Sequence, residues 1–170
     1  MKILILVFFL FKIASARQII CQQNPRDVAV KVSQDSHQLN FQIYSPMGYE
    51  QLPMLEGPIR PAMKSWINYQ FQQLKGLGSD FIVHFLTSKC EWSNPKNSSF
   101  SSVQCSEALP TNIKNLRFHT LSVSQVVERG LKQESNYRKF RLTVSAVGDF
   151  GEDTFFISLQ VPEQACKERE

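Results

Sequence analysis

Two stretches near the C-terminus constrain the fold more than any other part of this chain. Phe140, Leu142, Val144 and Ala146 alternate with Arg141, Thr143 and Ser145, and Phe155, Ile157, Leu159 and Val161 alternate with Phe156, Ser158 and Gln160. Successive strand side chains point to opposite faces, so a period of two means one buried face and one facing water. Between them, residues 148–153 (Gly-Asp-Phe-Gly-Glu-Asp) supply turn chemistry, which predicts a hairpin. The same period recurs upstream. Val28, Val30 and Val32 alternate with Ala29 and Lys31, and Leu39, Phe41 and Ile43 alternate with Asn40 and Gln42. The polar run Ser33 to Gln38 separates them, so a second hairpin is expected.

The middle of the chain is read from weaker signals. Phe81 to Leu86 is apolar on both parities except at His84, the pattern of a central strand covered on two faces. Ser65 to Leu74 fits two templates. Met63, Trp66, Ile67, Phe71 and Leu74 share a helical face behind Pro61, while Ile67, Tyr69 and Phe71 also alternate with Asn68, Gln70 and Gln72. The strand is preferred, because residues 75–79 (Lys-Gly-Leu-Gly-Ser) would turn it into the Phe81 strand. Ser122 to Gln133 reads as a short helix. Ser122 and Gln125 have capping-box spacing, and Val123, Val126, Val127 and Leu131 lie on one face. The expected fold is therefore all-β and mainly antiparallel, a β-sandwich or small barrel of about six to eight strands with one short helix near 122–133.

Residues 1–16 read as an export signal. Lys2 precedes the apolar run Ile3 to Phe11, and Ala14-Ser15-Ala16 is a small-x-small cleavage site. That run is too short for a bilayer core about 30 Å thick, so no membrane span is expected. Residues 17–166 are then a single domain and 167–170 a charged C-terminal tail, in a protein exported to a periplasmic or extracellular space. Export turns the four cysteines into a disulfide framework before a metal site. Cys90 with Cys105 would close a polar loop, and Cys21 with Cys166 would join the ends of the domain.

The residues offer little chemistry. The formal charge of +4, or +2 once Lys2 and Lys12 leave with the signal, is too small for a polyanion binder without a sharply segregated patch. Nucleic acid is not an expected partner. His37, His84 and His119 show no metal-ligand spacing and no nucleophile context, so no cofactor, metal or catalytic residue is expected. His84 reads as a satisfied core histidine. Asp149, Glu152 and Asp153 read as a solvated turn, and Lys132, Arg138, Lys139 and Arg141 as a solvated basic face. Asn97-Ser98-Ser99 is a glycosylation sequon in the Cys90–Cys105 loop.

The segment 45–65 is the less ordinary one. It holds Pro46, Pro53, Pro58 and Pro61, which oppose a continuous element, yet it is not polar. Long loops of this kind are often functional, and Met side chains adapt to varied surfaces. Met47, Tyr49, Leu52, Met54 and Leu55 are therefore the expected binding residues. The function expected is binding of a protein or a small apolar ligand. The alternatives are a small secreted hydrolase whose catalytic residues the sequence does not reveal, and a carrier of an apolar ligand.

Overall fold

The computed structural model describes residues 16–25, 28–44, 54–66, 69, 81–94, 100–111, 115–129, 134–148 and 151–169. Residues 1–15 of the expected signal lie outside the described residues. Two antiparallel sheets form. The five-stranded sheet has β1 (Gln18–Cys21), β2 (Ala29–Gln34), β3 (Gln38–Tyr44), β5 (Phe81–Leu86) and β11 (Cys166–Arg169), in the order β11-β1-β2-β3-β5. The six-stranded sheet has β4 (Met54–Glu56), β6 (Cys90–Ser93), β7 (Ser102–Ser106), β8 (Leu116–Arg129), β9 (Glu134–Gly148) and β10 (Gly151–Pro162). Its order is β4-β10-β9-β8-β7-β6. Neither sheet closes on itself, so the fold is a sandwich and not a barrel. Its eleven described strands exceed the six to eight expected.

Both expected hairpins are present, β2 with β3 (Val32 opposite Phe41) and β9 with β10 (Val144 opposite Phe155). Their apolar phases face each other across the sandwich. Val30, Val32, Phe41 and Ile43 from one sheet share a buried cluster with Phe140, Leu142, Val144, Phe155 and Ile157 from the other. The rings of Phe41 and Phe140 stand 6.0 Å apart between centroids. Burying each such side chain contributes about 1.5–3 kcal/mol.

Two of the crossings between the five-stranded and the six-stranded sheet use one device. A three-residue 3-10 turn, Thr87–Lys89 after β5 and Glu163–Ala165 after β10, leads into a cysteine that opens the next strand. Cys90 is bonded to Cys105 and Cys21 to Cys166. Each pair faces directly across antiparallel neighbours, with Cα separations of 4.0 and 3.9 Å, below the usual range of about 4.4–6.8 Å.

Four expectations fail. Residues 122–129 are not helical. They continue β8, paired with β9 throughout and with β7 at Ser122 and Val123. Leu121 and Val123 enter the core while Ser122 and Ser124 point out, so burial on a period of two overrides a helix-compatible spacing. Residues 130–133 lie outside the described residues. The strand preferred for 65–74 is helical where it is described. Residues 61–66 form a short helix behind Pro61, with Met63 fully buried and Trp66 packed on the core. β5 is an edge strand, not a central one: Val83 and Phe85 are buried, whereas Ile82 and Leu86 are each 38% exposed. Its outer edge is partly taken, since Phe85 bridges to Ala108 and the Leu109 N–H donates to the His84 carbonyl at 2.8 Å. Lastly, Lys167 to Arg169 of the expected charged tail belong to β11, with Lys167 opposite Ile20 and Arg169 opposite Gln18.

Candidate functional site

Where β7 ends, the chain parts from its neighbour. β7 pairs with β8 up to Ser106 opposite Thr120, and the Glu107 N–H then donates to the His119 carbonyl at 2.7 Å. Beyond that point residues 108–109 turn to the other sheet and attach to β5. The first residues of β8 stay with β9, Leu116 opposite Ala146 and Phe118 opposite Val144. A β-bulge between Phe118 and Thr120 adds the local twist that the separation requires. The space left between 107–111 and 115–119 is an open cleft of about 570 Å³.

The backbone at this cleft is unusual. Glu107 (φ 58°) and Asn115 (φ 65°) are the non-glycine residues with left-handed backbone among those described, and both line it. Asparagine accepts that conformation readily, whereas glutamate does so at a cost, and such residues gather at functional sites. Leu109, Pro110 and Val147 give the cleft an apolar lining, and Thr111, Arg117 and His119 a polar one. The Glu107 carboxylate meets the Lys89 ammonium at 2.9 Å on the exposed rim. Arg117 makes no ion pair among the described residues and brings an uncompensated positive charge to the cleft.

His119 gives the cleft its nearest approach to catalytic geometry. Its Nε2 lies 3.0 Å from the Ser145 Oγ, which in turn lies 3.1 Å from the Thr154 Oγ1. A nucleophile needs an accessible hydroxyl and a histidine oriented by a third group. Ser145 is 4% exposed, its further partner is a hydroxyl, and among the described residues no carboxylate reaches His119. The chain His119–Ser145–Thr154 therefore ties three strands together on the sheet's outer face.

The expected site residues fare unevenly. Met47, Tyr49 and Leu52 lie outside the described residues. Met54 opens β4 opposite Ser158, and Leu55, opposite Ile157, packs partly buried against the core. Residues 54–66 thus close one side of the sandwich. Glu56 fastens them, accepting from the Lys139 Nζ at 3.0 Å and the Arg141 Nη2 at 2.6 Å. Lys139, and then Arg141, hold the Glu56 carboxyl below its ordinary 4.5. Arg60 adds a second clasp, its Nε 2.8 Å from Asp153 Oδ2, and likewise lowers the Asp153 carboxyl. The acidic turn is thus partly an anchor, though Asp149 lies outside the described residues.

The basic run does not form one solvated face. Lys139 and Arg141 point outward to Glu56, while Arg138 points inward and is 0% exposed. Its Nη1 donates to the Ser101 carbonyl at 2.6 Å and its guanidinium lies 4.5 Å from the Phe100 ring centroid. Burial lowers its pKa against the opposing pull of Glu168 and Glu163. Its Nε and Nη2 find no acceptor among the described residues. Lys132 and the sequon at Asn97 lie outside them.

Of the other histidines, the His84 ring and the His37 backbone serve the fold. His84 Nδ1 lies 2.6 Å from Asn40 Oδ1, half-buried on the outer face and not in the core. The Asp35 carboxylate accepts the backbone N–H groups of Gln38 and His37, both at 2.7 Å, and these two bonds lower its pKa while fixing the β2–β3 turn. No group of three His, Cys, Asp or Glu among the described residues could hold a metal, and none of their helices is long and apolar enough to cross a membrane. No protein-family model, curated protein or solved structure matches this chain.

Proposed function

We propose that this chain is an exported, disulfide-fastened domain that works by binding, and that its ligand seats in the cleft between 107–111 and 115–119. One observation carries the reading: the two described non-glycine residues with left-handed backbone both flank this cleft. Its volume falls within the range of about 300–1,000 Å³ common for small-ligand sites. A ligand with an apolar body and an anionic or acceptor group would meet Leu109 and Pro110 at one wall and Arg117 with His119 at the other. Export is supported by the apolar run and small-x-small site of residues 1–16 and by the two disulfides. The occluded Ser145 favours binding over hydrolysis, and the aromatic filling of the core favours a surface ligand over an apolar one carried inside.

The test is a fragment screen by NMR on isotope-labelled protein, with two variants in parallel. Shifts gathered on Glu107–Thr111 and Asn115–His119, and lost in Arg117→Ala/His119→Ala, are the expected result. Loss instead in Tyr49→Ser/Leu52→Ser/Met54→Ser would return the site to 45–65. Conversion of a fragment into product would replace the binding reading with an enzymatic one.

A further inference from the structure

Among the described residues, the outer face of the five-stranded sheet gathers cations without carboxylates. Register places Arg169, Gln18, Ser33, Asn40 and His84 in one row across all five strands. The next row holds Lys167, Ile20, Lys31, Gln42 and Ile82. Lys167 and Arg169 are exposed and Lys31 is partly so. None of the three forms an ion pair among the described residues. The nearby described acids are engaged elsewhere. Glu168 points inward and accepts the Ser101 N–H at 2.9 Å, and the Asp35 carboxylate is engaged with its own turn. A chain of low net charge thus presents a segregated positive face, the condition under which polyanion binding becomes reasonable.

We infer that this face docks an anionic polysaccharide, laid across the strands. The spacing of the cations supports an extended partner. Lys167 and Lys31 sit in one row two strands apart, roughly 9–10 Å, and Lys167 and Arg169 two residues apart, roughly 7 Å. A single small anion cannot reach all three, whereas a chain with repeated sulfate or carboxylate groups meets them in turn. Around the cations, Gln18, Ser33 and Asn40 offer amide and hydroxyl groups suited to sugar hydroxyls. A protein interface would want an apolar or aromatic anchor at its centre, and an anionic membrane an apolar surface to bury. The exposed apolar and aromatic side chains of this face, Tyr44, Ile82 and Leu86, instead lie on β3 and β5 beyond Lys31, and Ile20 between the cations is half-buried.

The test uses the full exported chain with dextran sulfate as probe, uncharged dextran as control, and vesicles of phosphatidylserine with phosphatidylcholine as competitor class. The expected result is binding to dextran sulfate only, weakening steeply with salt as counterions are recaptured. Lys31→Gln/Lys167→Gln/Arg169→Gln should lower affinity at least tenfold and flatten the salt dependence, at an unchanged melting temperature. The charge-keeping variant Lys31→Arg/Lys167→Arg/Arg169→Lys should bind as wild type, and so should Lys64→Gln, which alters an exposed lysine elsewhere. Undiminished binding by the triple Gln variant would overturn the inference, as would an equal loss in Lys64→Gln or binding to vesicles alone. Absence of binding to either probe would overturn it too.

Discussion

The two outer faces of the sandwich treat charge in opposite ways. On the six-stranded sheet, Lys139 and Arg141 share Glu56, and Arg60 takes Asp153. These cations hold the 54–66 segment against β9 and β10. On the five-stranded sheet, Lys31, Lys167 and Arg169 face outward with no carboxylate of the described residues among them. The difference teaches that the pleat, not the sequence run, decides what a charge does. Arg138, Lys139 and Arg141 are near neighbours in sequence, yet one is buried and two are clamps. Lys167 and Lys31 are far apart in sequence yet share a row.

Each sheet also carries its own disulfide, and removing these should give the largest effects. Cys21–Cys166 closes a separation of 145 residues and Cys90–Cys105 one of 15. In the chain-entropy model they contribute about 5 and about 3 kcal/mol respectively. Paired Cys→Ala variants followed by urea unfolding should therefore rank the five-stranded sheet's bond first. The reverse order would mean that the ends of the domain are held by packing alone.

Arg138→Ala should follow, at about 3–5 kcal/mol, because it empties a packed site and removes a positive charge that interacts with Glu168. A loss under 1 kcal/mol in denaturant unfolding would put Arg138 on the surface with its neighbours. The signal for its burial stood in the sequence, since Arg138 is in phase with Phe140 and Leu142 while Lys139 and Arg141 are not. Reading the four basic residues as one cluster hid that phase. The hairpins and cysteine pairs were legible for the converse reason, as period two and an even cysteine count act locally or leave few choices. The cleft was not legible. It exists because residues 108–109 leave β8 to join β5, a long-range choice that no local pattern announces. The Ser122–Gln133 helix reading failed on the same kind of fact: β9 claims the backbone of its described residues as far as Arg129, and β7 that of Ser122 and Val123.

The Glu56 clamp should matter less, since it is partly exposed. Glu56→Gln should lower stability by roughly 0.5–1 kcal/mol at neutral pH. Its folded pKa lies below the ordinary value, so its contribution is present above that value and is lost as pH falls through the folded one. Melting temperatures taken from pH 6 down to pH 3 should fall less steeply in the variant than in wild type. Parallel curves would show that Glu56 is not engaged. The smallest effect belongs to the other face. Lys167→Ala should stay within about 0.5 kcal/mol of wild type, as nothing leans on that side chain.

Lysine acylation of the folded, disulfide-intact protein, followed residue by residue in peptide mass spectra, compares the two faces directly. Lys167 and Lys31 should react readily, while Lys139, held between Glu56 and the sheet with 19% of its side chain exposed, should lag well behind both. Lys139 reacting as fast as Lys167 would contradict the account.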